Sequence, residues 1–454
     1  MSERLVVIGG DAAGMSAASQ ARRRRKPDDL EIIVLEKGNY VSYSACGEPY
    51  FVSGDVEDFD DLLVRTPEQF WKVSIEARIR HEVIAIDTGL GTVTVQNLTD
   101  ESEETIGYDQ LLYATGAQSI RPPIEGTDQQ GIYELRTLDD AMKLRHVATG
   151  GAQKAVVVGG GYIGLEVAEA FHTLGVETTI VTMAPTVLER TFDPDMGEKI
   201  GNRIQDMGIE LITEHKVECL EGRDGKVVGV GCSDRSIKAD LVVLALGSRP
   251  ATRLAADAGI PLGASGAVSV DDRQRTPVDG VWSAGDCADA MHRITGRPIN
   301  LHLGTVANKA GRVAGINLGG GDATFPGVLG TAITKVHDFE IARTGLAEFE
   351  AEAAGFEYVA AEVGSSTAAH YWPGSSPMRI KMVAERGTGK VLGAQIFGGT
   401  GAGKRIDTVA AALWSEMTAS DLAMADLAYS PPFSGVWDPV NIAARKVAAA
   451  AISL

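Results

Sequence analysis

Two stretches of this chain repeat one grammar, and that repetition limits the possible folds more than any other feature. Leu5 to Ile8 is an apolar, β-rich run that closes on Gly9-Gly10 and leads into AAGMSAASQARRRR, whose small residues favour a helix. Ala155 to Val158 closes on Gly159-Gly160-Gly161-Tyr162-Ile163-Gly164 and leads into LEVAEAFHTLG. Each predicts a strand, a glycine turn and a helix, and a second apolar run (31–35 and 178–181) completes a βαβ unit in both places. In G-x-G-x-x-G the first glycine permits the tight turn, the second lets a pyrophosphate approach the backbone, and the third lets the helix pack on the strand. The expected fold class is α/β, with two Rossmann-like dinucleotide-binding domains.

The two copies differ. The second is complete, with Gly159, Gly161 and Gly164, whereas the first keeps Gly9 and Gly14 but has Asp11 in the second place. Glu36 ends the second strand of the first unit, where a carboxylate accepts hydrogen bonds from an adenosine ribose, and Lys37 beside it is grouped with the site. Matching the strand ends puts Thr182, followed by Met183, at that place in the second unit. No carboxylate marks NADH there and no arginine cluster marks a 2′-phosphate, although Arg190 is within reach. NADH and NADPH both stay open, and the missing acid favours NADPH.

Further strand-like segments close on glycine at 111–117, 241–250 (which holds Gly247) and 281–288. This interleaving predicts a discontinuous first domain, 1–118 and 250–324, around a second at 119–249. From Phe325 onward longer strands and a helix at 405–417 predict a separate α+β domain over 325–454.

Charge and cysteine usage narrow the partners. Lys and Arg total 42 against 61 Asp and Glu, and the net charge of −19 repels nucleic acid and anionic lipid. No 18-residue run is free of charge and MSERLVVIGG is no signal sequence, so no membrane partner is expected. The four cysteines, Cys46, Cys219, Cys232 and Cys287, are widely spaced, which fits free thiols in a reducing cytoplasm. With no CxxC and no HxxxH or HxxEH, no metal site is expected.

Cys46 stands in SYSACGEPY, shortly after Glu36, and the following Gly47, Glu48, Pro49, Tyr50 and Phe51 offer no resolving cysteine. A lone thiol must exchange with an external thiol, carry a persulfide or be oxidised to a sulfenic acid. Small and hydroxylated neighbours and an expected helix start favour the thiolate. Cys219 and Cys232 read as structural, and Cys287 beside Asp286 as a packing residue.

The chain resembles the pyridine nucleotide-disulfide oxidoreductases, and within them the single-cysteine branch of CoA-disulfide reductases, NADH oxidases and persulfide reductases. The resemblance spans the chain through GGDAAGMSAA (9–18), SYSACGEPY (42–50), YDQLLYATGA (108–117), GGGYIGLE (159–166), TPVDGVWSAGDCA (276–288), HYWPGSS (370–376) and YSPPFSGVWDP (429–439). It implies an FAD domain, an inserted NAD(P) domain and a C-terminal dimerisation domain, in a homodimer with shared active sites. It implies that Asp286 holds the ribityl chain, that Thr115 and Gly116 pass close to FAD, and that a helix starting near Thr305 aims at flavin N1 and O2. Tyr162 would cover the flavin face with Glu166 nearby, and Tyr371 and Tyr429 would reach the thiol of the other subunit.

Ser16, Gln20, Arg23 and Ser42 match the family's CoA contacts, and the run Arg22 to Lys26 reads either as a clamp for ADP-3′-phosphate or as a solvated helix end. Ala45, Gly311 and Trp437 depart from the CoA pattern. The implied activity is NAD(P)H-driven reduction of a disulfide, CoA disulfide first, through Cys46. Oxygen, peroxide or a persulfide are alternative acceptors, and an electron carrier or redox sensor with Cys46 incidental is the alternative outside catalysis.

Overall fold

In the computed structural model, which describes residues 2–452, the apolar run at the N-terminus becomes the strand Glu3–Ile8 and pairs in parallel with Leu30–Leu35. The helix Ala12–Arg24 connects them and buries Ala13, Ala17, Ala18 and Ala21. It ends before Pro27 is reached, since Arg25 is already extended. Arg22 holds that end by donating to the carbonyl oxygens of Leu30 (2.6 Å) and Ser74 (3.0 Å).

The chain forms two compact units. The first takes the residues up to Ile120, 136–141 and 247–328. Its five-stranded parallel sheet has the order 281–283, 110–113, 3–8, 30–35, 76–78, and an antiparallel sheet of 81–87, 92–97 and 103–107 accompanies it. The helix Gly304–Leu318 packs on helix 12–24 backbone to backbone. A Cβ on Gly311 would stand 2.3 Å from Ala13 O, and one on Gly315 2.2 Å from Ala17 O. Gly311, the departure from the CoA pattern, is therefore required by this helix crossing.

The second unit takes 121–135, 142–246 and 329 onward. It repeats the first architecture, with a parallel sheet ordered 210–212, 177–181, 154–158, 241–244, 132–133 and an antiparallel sheet of 217–223, 226–232 and 236–238. It also contains a five-stranded antiparallel sheet ordered 332–336, 339–345, 391–398, 377–385, 358–366. The buried Lys381 of that sheet pairs with Asp193 (3.2 Å), Asp195 (2.7 Å) and Glu348. An ammonium thus sits among three carboxylates and meets the cost of burying Asp193. Among the described residues no helix is long and apolar enough to cross a membrane.

Candidate active site

The two glycine turns have the same geometry. Gly9 and Gly159 take φ values of +104° and +120°, and a Cβ on either would stand 2.2 Å from a carbonyl oxygen, that of Ala114 or of Ala245. A Cβ on Gly14 or Gly164 would come within 1.9 or 2.1 Å of the carbonyl oxygen of Gly9 or Gly159, so only glycine lets each helix lie on its strand. Gly161 faces open space, and helix Tyr162–Thr173 begins without a side-chain cap, leaving backbone N–H groups for an anion. Helix 12–24 also starts uncapped, because the Asp11 carboxylate turns instead to accept from Tyr43 N at 3.2 Å. Burial pushes the Asp11 pKa up to about 6.

Glu36 accepts from Gly10 N and Gly38 N, each at 2.7 Å, which fixes its carboxylate at the end of its strand; Lys37 beside it lies 4.0 Å from Glu82. Thr182 stands at the same register in the second unit, where its hydroxyl accepts from Ala184 N at 3.2 Å. Met183 next to it is 77% exposed.

Around the first turn one buried carboxylate oxygen lacks a partner. Glu48 is buried with no hydrogen-bond partner for Oε1, and burial pushes its pKa up to about 8. Burial also raises the pKa of Asp286, opposed by His302 and by Arg136, whose Nη2 lies 3.7 Å from the Asp286 carboxylate. The charge of Arg136 acts on Asp11, Glu48 and Asp286 together. Arg136 also approaches Gly116 (φ +69°), while Thr115 donates to Ala251 O at 2.8 Å. A buried carboxyl with one oxygen unpartnered, an uncapped helix and one guanidinium fit a ligand rich in hydroxyl and phosphate groups, as FAD is. Arg136 and the start of helix 12–24 suit its pyrophosphate, Glu36 a ribose and Asp286 a ribityl chain.

Ala45–Gly47 is a single 3₁₀ turn running into the helix Glu48–Ser53, and Cys46 is exposed. Its sulfur lies 3.9 Å from where a Cβ on Gly304 would stand, at the uncapped start of helix 304–318 beside Thr305. The positive end of a 15-residue helix favours a thiolate there. Ser42, at φ +50°, positions the segment by donating its N–H to Gly10 O and accepting from Val64 N. Gly247, at φ +90°, accepts from Ile120 N. Cys287 is fully buried, with its sulfur 3.4 Å from Tyr113 O.

Ser16 donates to Asn308 Oδ1 at 2.9 Å, and Gln20, oriented with its amide oxygen as acceptor, joins Arg23 (2.8 Å) to Arg312 (2.9 Å). The basic run thus divides: Arg22 serves the helix end and Arg25 pairs with Glu3, while Arg23 points outward with Arg312. Sequence reading missed Asn308 and Arg312, although their four-residue spacing places them on one helix face. It also missed Arg136 and His302, and Glu48, which lies inside SYSACGEPY but was read there only as not being a cysteine.

In the second unit the Glu166 carboxylate accepts from the Thr334 hydroxyl at 2.7 Å. The Tyr162 hydroxyl is buried, and that burial raises its pKa, with Arg343 and Thr191 close by. Tyr371 and Tyr429 come together; desolvation and then the neighbouring Tyr371 raise the Tyr429 pKa. Both are exposed, as are Trp372, Phe433, Val436 and Trp437 on the same two segments, which Ala369 N ties to Pro431 O at 2.9 Å. An apolar surface of this kind suits a second protein copy.

Comparison with known proteins adds the following. The pyridine nucleotide-disulphide oxidoreductase profile matches residues 3–309, and the dimerisation domain of the same group matches 331–439. The chain is 38% identical over 447 residues to the NAD(P)H coenzyme A polysulfide/persulfide reductase of Pyrococcus horikoshii, covering 98% of each chain. It is 29% identical over 451 residues to the coenzyme A disulfide reductase of Staphylococcus aureus, covering 98% of this chain and 99% of that one. The solved NAD-dependent persulfide reductase from A. fulgidus is similar with a TM-score of 0.94 and 39% identity, over 98% of this chain and 82% of that one.

Proposed function

Because this chain belongs to the pyridine nucleotide-disulphide oxidoreductase family, we propose that it is an FAD-dependent NAD(P)H oxidoreductase that reduces the sulfur–sulfur bond of a CoA-linked substrate, CoA disulfide first, through Cys46. The observation that carries this reading is the Cys46 sulfur held against the start of helix 304–318. In this reading 1–118 with 250–324 holds FAD, joined by Arg136, while the rest of 119–249 holds NAD(P)H and 325–454 forms the dimer contact, in a reducing cytoplasm.

FAD, once bound, supplies the electron pair drawn from NAD(P)H. Glu36, Thr115, Gly116, Asp286 and the uncapped turn at Gly9 to Gly14 bind it, while Gly159, Gly161 and Gly164 receive the nicotinamide dinucleotide, with Tyr162 and Glu166 at its edge. The Cys46 thiolate attacks one sulfur of the disulfide, forming a Cys46 mixed disulfide and expelling one thiolate. Tyr429, assisted by Tyr371, supplies the proton that this thiolate takes up, and in our reading both tyrosines come from the second copy. Two electrons and a proton then split the mixed disulfide, releasing the second thiol and restoring the Cys46 thiolate. Ser16, Gln20, Arg23 and Ser42 hold the CoA moiety, with Arg312 sharing the phosphate.

A CoA-linked persulfide is the second reading, favoured by the higher identity to persulfide reductases, 38% and 39%, than to the CoA disulfide reductase, 29%. Anaerobic titration with NADPH, followed by CoA disulfide or CoA persulfide, tests both. Flavin that NADPH reduces but neither substrate reoxidises would rule them out.

A further inference from the structure

We propose that His302 is a positioning residue for the flavin site, locking the start of helix 304–318 to the Asp286 loop and to strand Ser248–Pro250 through both of its ring nitrogens. Asn300 Nδ2 donates to the carbonyl oxygens of Asp286 (2.9 Å) and Ala288 (3.0 Å), so Asn300 Oδ1 is the atom that faces His302 Nε2 at 2.7 Å. An amide oxygen only accepts, and Nε2 must therefore carry the hydrogen. Nδ1 of the neutral ring is then an acceptor, and the Ser248 hydroxyl donates to it at 2.6 Å. Burial lowers the His302 pKa, which favours this neutral ring.

The ring joins three segments that are distant in sequence; one carries Asp286, which the proposed function gives to FAD, and another starts the helix that the Cys46 sulfur lies against. Ser248 follows Gly247, Asn300 holds the carbonyl of Asp286 itself, and His302 precedes Gly304 and Thr305. The field of a helix end acts only within its first turn, so its effect on a charge depends on where that turn is held. A side chain that fixes this turn against the Asp286 loop therefore sets how strongly the helix stabilises an electron-rich, reduced flavin. This inference rests on the reading that the first unit binds FAD.

The test compares wild-type holoenzyme with His302→Phe, which keeps an aromatic ring but neither hydrogen bond, with Ser248→Ala, and with the double variant. FAD release is followed by flavin fluorescence on dilution, and the midpoint potential by photoreduction against a reference dye. His302→Phe should release FAD at least tenfold faster and weaken the hold on reduced flavin about tenfold more than the hold on oxidised flavin, a fall of about 30 mV for a two-electron couple. Ser248→Ala should shift both in the same direction by less, and the double variant should not exceed His302→Phe, since one relay is already broken. Release rates within twofold of wild type and an unchanged potential would overturn the proposal. If His302→Phe does not fold, Ser248→Ala decides by the same two readouts. A folded wild-type chain that takes up no FAD would instead overturn the flavin reading itself.

Discussion

Glu36 and Thr182 occupy the same place in the two nucleotide units, each one residue beyond a strand paired in the same parallel register with its neighbour. One carboxylate is pinned by Gly10 N and Gly38 N, while the hydroxyl of Thr182 meets Ala184 N. The second place therefore lacks the charge that repels a 2′-phosphate. Thr182→Glu should lower kcat/KM for NADPH at least tenfold, about 1.4 kcal/mol of transition-state binding, and leave NADH nearly unaffected. Initial rates with both cofactors check this.

Cys46→Ser should keep bound FAD and accept hydride from NAD(P)H, yet lose at least 10³-fold in disulfide turnover, because serine offers no sulfur to form the mixed disulfide. Any long-wavelength charge-transfer absorbance of the two-electron-reduced enzyme should vanish too, since it requires a thiolate against the flavin. Near wild-type disulfide reduction by the serine variant would sink the relay.

Tyr429→Phe removes one hydroxyl from the Tyr371 pair and should slow thiol release by roughly 10²-fold with flavin reduction intact. Arg23→Ala and Arg312→Ala should each raise KM for CoA disulfide with kcat little changed, as expected where uniform binding is lost. Because Gln20 joins the two guanidinium groups, the double variant should show less than the summed effect. Steady-state kinetics with CoA disulfide separates these outcomes.

The buried Glu48 makes stability depend on pH. Its pKa of about 8 in the folded chain lies above the ordinary 4.5, so between these values the folded chain keeps a proton that the unfolded chain has released. The Glu48 contribution to stability therefore falls as pH rises from about 4.5 to about 8, by an amount on the order of a few kcal/mol. Glu48→Gln should flatten this slope and gain most at pH 8. Urea unfolding at pH 5 and pH 8 with saturating FAD reads it; equal slopes in both proteins would refute the assignment.

Gly311→Ala ordinarily strengthens a helix, by roughly 0.5–1 kcal/mol. Here the new methyl would fall 2.3 Å from Ala13 O. A net destabilisation of about 1–3 kcal/mol is expected instead, visible as a lower urea midpoint.

What the sequence determined by itself was local. A glycine that must take positive φ, or let a helix lie on a strand, leaves its mark within a few residues, so both βαβ units were readable, whereas the helix beginning near Thr305 followed only from the family resemblance. The long strands of the C-terminal segment were equally plain. What only the tertiary structure decided was how distant residues combine. Arg136 meets Asp286 and shares its charge with Asp11 and Glu48, Gln20 joins Arg23 to Arg312, and His302 is fixed by Ser248 and Asn300. None of these has a spacing to detect, because burial and hydrogen-bond geometry arise only when separate segments pack together. Gly311 shows the same division: in the sequence it was a departure from the CoA pattern, and the approach of Ala13 supplied its physical reason.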